Sequence, residues 1–407
     1  MLPPLKTVKT GLRRTTETLA VELASALPGS TTPAWNELEW KLASAVAAAH
    51  GVSSLLCKCS TWKNPAWSSF LESQREHVEH RHQRIETLLK RLHAAARDAG
   101  VAMVPLKGSA LHALGLYTPG DRPMADIDLL VQEGDVARVT DLLQKLGYVE
   151  SFVQWKHRVF KPAAGKPLVG LGEHRDTPIN IELHTRIQER LPITTVDITA
   201  RIYPRKPQPG LNPYPSLGAL MSHLLLHAAG NMCGRSLRLL HLHDISLLAA
   251  RMSASDWDIL WDGRAAEHPW WAMPPLRLVD RYYTQAIPRS LFGRLDRDCP
   301  PLLRMISRRQ TLTKVSCSEL WLHALAGIEW SRSMREVAYY IGNRVRPTDE
   351  ATKERADMVR TQLWLQGQSW VTSTHRRRIL TWLTRPVPRM DTLYVVRAAL
   401  DHAASAA

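Results

Sequence analysis

Two aspartates one residue apart head the apolar run Asp126-Ile127-Asp128-Leu129-Leu130-Val131, and no other segment is so restricted in what it can become. The run reads as a β-strand. Alternate side chains of a strand share a face. Asp126 and Asp128 therefore point one way, while Ile127 and Leu129 point into a core. Two carboxylates held that close raise one another's pKa unless a cation lies between them. Magnesium suits the place, because it takes one or two carboxylates together with phosphate oxygens. Two such ions about 3.5–4 Å apart can activate an attacking hydroxyl and neutralise a phosphoryl group. Asp-x-Asp alone also describes an ordinary solvent-facing strand, so its surroundings decide.

Upstream, Val101 to Leu106 suits a short buried strand, with Pro105 marking an edge or a strand end. Lys107-Gly108-Ser109 follows as a turn, and a helix is expected from Ala110 to about Leu116. Gly108 permits close backbone approach, and Ser109 sits where a helix N-terminus offers free N–H groups to phosphate. Lys107 adds a cation beside them. Downstream, Val136, Val139, Leu142, Leu143 and Leu146 share a helical face that Gly147 ends. Tyr148 to Val153 and Trp155 to Phe160 suit further strands. Ile179 to His184 alternates as a half-buried strand does, placing a third carboxylate, Glu182, opposite inward-facing Ile181 and Leu183. His184 points to the same side, either orienting a site group or serving structure.

Around this α/β unit the chain reads as helical. Residues 1–80 form an N-terminal helical region with breakers at Pro28-Gly29-Ser30 and Asn64-Pro65. A long polar helix is expected from roughly Glu72 to Ala99, the α/β unit over 81–200, and a helical domain over 201–407 that opens with a proline-rich linker from Pro204 to Pro215. Leu217 to Ala229 and Leu237 to Met252 are its first helices. The fold class is α+β, a small mixed sheet flanked by predominantly α-helical regions.

No apolar run of about 18 residues indicates a membrane span, and the first residues lack the apolar segment of a secretory signal. A cytoplasmic location is the resulting expectation, with no membrane partner. Five scattered cysteines give neither a disulfide framework nor a structural zinc motif, so free thiols are expected. The net charge is +15, about +8 of it from residue 301 onward and densest at Arg376-Arg377-Arg378. That excess would concentrate a polyanion near the surface, although solvated arginine-rich helices account for it equally well. Of fourteen tryptophans, Trp270, Trp271, Trp321, Trp330, Trp364, Trp370 and Trp382 lie in this basic half, where spacing favours core filling over base stacking.

The order of elements resembles the polymerase-β-like nucleotidyltransferase superfamily, and more closely a bacterial family of uncharacterised nucleotidyltransferases. The carrying residues are Leu106-Lys107-Gly108, Leu116-Tyr117, Arg122, Asp126 through Val131, Gly147-Tyr148 and Glu182-Leu183-His184. The resemblance implies a small palm in which Asp126, Asp128 and Glu182 hold two Mg2+ ions, with Mn2+ as a substitute. It makes Glu182 a helper in deprotonating the acceptor, and Lys107, Gly108, Ser109 and Arg122 the nucleotide-binding group, the arginine forking onto phosphate oxygens. Glu at 182 departs from the more frequent Asp. His223 and His227, four apart on a helix, and Asp244 on the next lack the intervening Glu of a metalloprotease helix. The resemblance allows them acceptor or nucleotide contacts in a helical lobe; core or capping roles stay open beside that.

These features lead to an ATP- or other NTP-dependent transferase that moves NMP to an acceptor. The acceptor is a peptide or protein, a small molecule or RNA, and the basic half tilts toward an anionic macromolecule. A non-catalytic nucleotide- or RNA-binding platform is the contrasting reading, and clustered acids facing a phosphate argue against it. A tRNA-modifying toxin differs from the first reading only in its acceptor.

Overall fold

A computed structural model of the chain describes residues 3–25, 31–164, 170–262, 268–323, 325–345 and 387–402. Its central element is a six-stranded mixed sheet. The strands are β1 (Ala102–Pro105), β2 (Asp126–Leu130), β3 (Tyr148–Val153), β4 (Arg158–Pro162), β5 (Asn180–His184) and, after a separate hairpin of β6 (Gln188–Leu191) and β7 (Thr194–Asp197), β8 (Gly210–Leu211). They lie in the order β3-β4-β5-β2-β1-β8, with β2 parallel to β5 and β1 parallel to β8. This is the α+β architecture with a mixed sheet and helical flanks that the sequence implied.

Alternation along the strands gives the sheet two unlike faces. Ile127, Leu129, Ile181, Leu183 and Phe160 bury on one side against Ile85, Leu88 and Leu92 of α4 (Pro65–Asp98) and Val139, Leu142 and Leu143 of α6 (Val136–Lys145). The other face joins Val104, Leu106 and Leu130 to a larger core built from α1 (Leu5–Ala24), α2 (Glu37–Ala49), α3 (Ser53–Cys59), the short α7 (Thr199–Ile202), α8 (Leu217–Cys233) and α9 (Leu239–Ala249). Helix α4 serves both cores: Trp67 and Leu71 of its first half belong to the larger one, Ile85 to Ala96 to the smaller. Its 34 residues span about 50 Å. The helix Met390–His402 packs on α2, so chain segments far apart in sequence share one core.

Several boundaries differ from the sequence reading for physical reasons. Asn64-Pro65 starts α4 rather than breaking the chain, because the Asn64 side chain accepts from the Trp67 N–H at 3.0 Å and Pro65 occupies the first turn. Pro105 ends β1, which is paired on both sides and so is no edge. The helix after it, α5, runs Gly108–Ala113, two residues earlier than expected. The fourth strand starts at Arg158 rather than at Trp155. The proline-rich stretch 204–215 is not a plain linker: β8 pairs Gly210 and Leu211 with Ala102 and Met103. The C-terminal part is not wholly helical, since β9 (Trp321–Leu322) pairs with β10 (Val387–Pro388). Trp270, Trp271 and Trp330 are core residues. Pro28-Gly29-Ser30, Arg376-Arg377-Arg378, Trp364, Trp370 and Trp382 lie outside the described residues. The five cysteines are free. Among the described residues no single helix is long and apolar enough to cross a membrane.

One charged side chain inside this scaffold sets the approach to β2. Arg81 of α4 is only 2% exposed and donates to the carbonyls of Thr177, Met124 and Ala125. Its Nε also lies 3.1 Å from Glu173 Oε2. The entries to β2 and β5 thus hang on one guanidinium. Arg81→Met should lower unfolding free energy by about 3 kcal/mol, since buried carbonyls and a carboxylate lose their partner. Urea denaturation reads this directly, and a loss below about 0.5 kcal/mol, the size of an ordinary surface change, would refute the role.

Candidate active site

The parallel register of β2 and β5 sets Asp126 beside Asn180, Asp128 beside Glu182 and Leu130 beside His184. Neighbours in such a pair share a face, so the three carboxylates predicted from sequence are brought together on the side of the larger core. Lys107 enters from the end of β1. Its φ of 47° is unusual for a residue with a side chain. The Lys107 N–H donates to the Tyr214 hydroxyl at 3.3 Å and its carbonyl accepts from Leu111 at 3.0 Å, which holds the turn. So held, the ammonium donates to Asp128 Oδ1 at 2.9 Å. His184 Nε2 meets the same oxygen at 3.0 Å.

This face holds more negative charge than the ammonium neutralises. Burial and the charge of Asp128 push the Asp126 carboxyl up to about 6. Burial, Asp128 and Asp126 push Glu182 up to about 8. Burial acts on Asp128 in the same direction, but Lys107 and His184 outweigh it and hold that carboxyl well below its usual range. Burial would also depress Lys107, yet Asp128 and Asp126 prevail and keep the ammonium charged up to about 12.

A pocket of about 580 Å3 opens above these groups. Lys107, Gly108 and Ser109 form one side, His227 and Asn231 of α8 with Arg238 and His241 another, and Glu173 and Arg389 the rim. The turn differs from the sequence reading in two respects. The Ser109 N–H already donates to Leu106 O at 3.2 Å and is not open to a phosphate. Gly108 makes room for a side chain: a Cβ there would lie 2.3 Å from Arg122 Nη1 and 2.9 Å from Met124 Cγ.

Arg122 itself lines the pocket, but its fork is engaged. Nε and Nη2 donate to the two oxygens of Asp244 at 2.8 and 2.7 Å, and the Tyr117 hydroxyl donates to Asp244 Oδ1 at 2.6 Å. Asp244, for which both a ligand contact and a core role stood open, is buried beneath the pocket in this clamp. His223 is buried as well, with Nδ1 2.7 Å from the Tyr214 hydroxyl behind Lys107. His227 lies at the pocket wall, its ring 5.0 Å from that of His241. Burial, followed by the Lys107 charge, keeps both His223 and His227 well below the usual imidazole range, so both are neutral.

Sequence reasoning passed over four contributors. Tyr214 sits in the proline-rich stretch, Glu173 in a loop, and Arg81 on the helix face read as merely polar. His157, the residue just before β4, approaches Glu182, with Nδ1 3.4 Å from Glu182 Oε2. Alternation over the expected strand from Trp155 to Phe160 would have set His157 on the face of Val159, but only the pairing of Val159 with Glu182 makes that the acidic face. His157, Glu182 and His184 lie close enough together to hold a metal ion.

The model of the family described as "Uncharacterised nucleotidyltransferase" matches residues 36–272, and the chain belongs to that family. Transfer of a nucleoside monophosphate, with an NTP as donor, is the general activity that membership supports. No curated protein matches the chain.

The raised carboxyls have a consequence for stability. Asp126 at about 6 and Glu182 at about 8 lie above their ordinary values of 3.8 and 4.5, so between those limits the folded chain binds more protons than the unfolded one. Stability from these groups is complete below about pH 4 and is lost as pH rises through the folded values. Glu182→Gln should therefore raise the Tm of EDTA-treated protein at pH 8, with the gain shrinking toward pH 5. A gain equal at both pH values would contradict this account.

Proposed function

We propose that this member of the uncharacterised nucleotidyltransferase family transfers NMP from an NTP, ATP among them, to a hydroxyl acceptor in the pocket above Asp126, Asp128 and Glu182. The observation that carries the reading is the register that sets Asp128 against Glu182, with Asp126 two residues along the same face. The pocket volume lies within the range of small-molecule sites. A purely binding platform has no use for three crowded acids facing a phosphate.

The donor set fits a hard divalent cation. Three carboxylates against one ammonium leave two carboxyls pushed up in pKa, the imbalance that added positive charge corrects. Asp126, Asp128 and Glu182 would hold Mg2+ or Mn2+, in the pair usual for phosphoryl transfer, supplying Lewis-acid neutralisation of phosphate charge.

The remaining roles fall to the chain's own groups. Lys107 offers its ammonium to the phosphate oxygens from the position where it now faces Asp128. Arg238, an exposed residue of the pocket wall close enough for its charge to act on Asp126, takes the phosphate-binding part that Arg122 cannot fill. Arg122 positions the turn through Asp244. Glu182 accepts the proton as the acceptor oxygen bonds to the α-phosphorus. The bond from that phosphorus to the bridging oxygen breaks, and pyrophosphate leaves in line. His157 and His184 steady Glu182 and Asp128.

The test is transfer of α-labelled NTP to components of a cell extract by the full chain. Label should move only with Mg2+ or Mn2+ and should stop on EDTA addition. The Asp126→Asn/Asp128→Asn double variant should reduce it at least about 1,000-fold, the scale of losing an electrostatic clamp on a transferring group. Transfer that survives the double variant would overturn the assignment. Partition of label between protein, RNA (tRNA included) and small molecules identifies the acceptor class.

The two arginines should separate in kinetics. Arg238→Ala is expected to raise the KM for NTP about 10-fold through one lost charge-assisted contact, with Tm unchanged. Arg122→Ala, which strands buried Asp244, should instead lower Tm. The reverse pattern would return Arg122 to the nucleotide.

A further inference from the structure

Glu182 has two different neighbourhoods. Strand β5 lies between β2 and β4, so Glu182 pairs with Asp128 on one side and, on the other, with Val159, two residues after His157. His157 Nδ1, from just before β4, lies 3.4 Å from Glu182 Oε2, and His184 Nε2, two residues along β5, lies 3.8 Å from it. The two rings are 5.1 Å apart at 62°, edge to face rather than stacked. All three ligand atoms lie within 4.8 Å of one another. Ligands on a tetrahedral zinc ion with bonds of 2.0–2.1 Å stand about 3.3 Å apart, so binding draws these atoms together by up to about 1.5 Å. A recess of about 130 Å3 reaches the cluster from the side of Lys156 and His227.

We propose that His157, His184 and Glu182 form a separate site for a divalent transition metal, zinc foremost. The donor chemistry separates it from the all-oxygen set of the Asp pair. Imidazole nitrogens favour zinc and its neighbours, whereas magnesium prefers carboxylate, carbonyl and water. Two histidines and one carboxylate make a three-ligand set with open positions, the composition of several zinc centres. His184 Nε2 now meets Asp128 Oδ1. To bind the metal it exchanges that contact for a metal bond and carries its proton on Nδ1.

The site bears on the reaction because Glu182 belongs to both sets. When drawn toward the histidines, it no longer completes the Asp pair, and zinc inhibits transfer. That consequence rests on the nucleotidyl-transfer reading; the binding itself does not.

Cobalt(II) is the probe, since four- or five-coordinate Co2+ absorbs visibly. The full chain, titrated with Co2+ in excess Mg2+, should bind one ion with those bands, and zinc should displace it. The Asp126→Asn/Asp128→Asn variant should keep the bands. His157→Ala should weaken binding by more than about 100-fold, beyond the 10- to 100-fold typical of outer-shell changes. His157→Asp, which returns an oxygen ligand, should recover part of the affinity and so distinguishes ligation from a folding defect. Absent bands, bands that survive His157→Ala, or bands lost only in the double Asp variant would each overturn the proposal. Cobalt binding in a chain that transfers no label would leave the site standing and the catalytic reading in question.

Discussion

The buried pair Arg122–Asp244 joins the sheet to the helical lobe, and the pocket exists because of that join. Arg122 stands in the loop leading to β2 and Asp244 on α9, with both side chains nearly inaccessible. Two charges so placed must satisfy one another, since desolvation leaves either alone strongly unfavourable. The bidentate contact fixes distance and orientation together, and the Tyr117 hydroxyl adds a third hydrogen bond to the same carboxylate. Above this clamp, the start of α9 and the face of α8 roof the acidic face of β2 and β5.

Local patterns made the sheet legible. The alternation through Asp126–Leu130 and Asn180–His184 assigned faces correctly, because a period of two has only one way to bury Ile127, Leu129, Ile181 and Leu183. The helix ended by Gly147 was legible for the same reason, with Val139, Leu142 and Leu143 on its buried face. The parallel register of β2 with β5 was not legible. About fifty residues separate the strands, and no local preference selects Glu182 rather than another residue as the neighbour of Asp128.

Individual residue types misled where a tertiary partner redefined them. Arg122 looked like a phosphate fork because its partner lies on a helix more than a hundred residues downstream. The prolines between 204 and 215 suggested a linker, although the brief Gly210–Leu211 strand needs only two residues free of proline to pair with β1. His223 could be read as a ligand or as a core residue, and the fold sets it against Tyr214, which in turn holds the strained Lys107 turn. In each case the residue's chemistry was read correctly, while the group it answers could only come from the fold.

Gly108 lacks a Cβ because the Arg122 guanidinium passes where one would be. The requirement at position 108 is therefore conditional on the residue at 122. A lineage that lost the arginine would relieve the glycine of its constraint, whereas one that kept it would tolerate almost nothing else there. Effects of substitution at the two positions cannot add as independent sites do. Positions 108 and 122 thus act as one physical unit, and Asp244, which the Arg122 fork holds at both oxygens, is its third member.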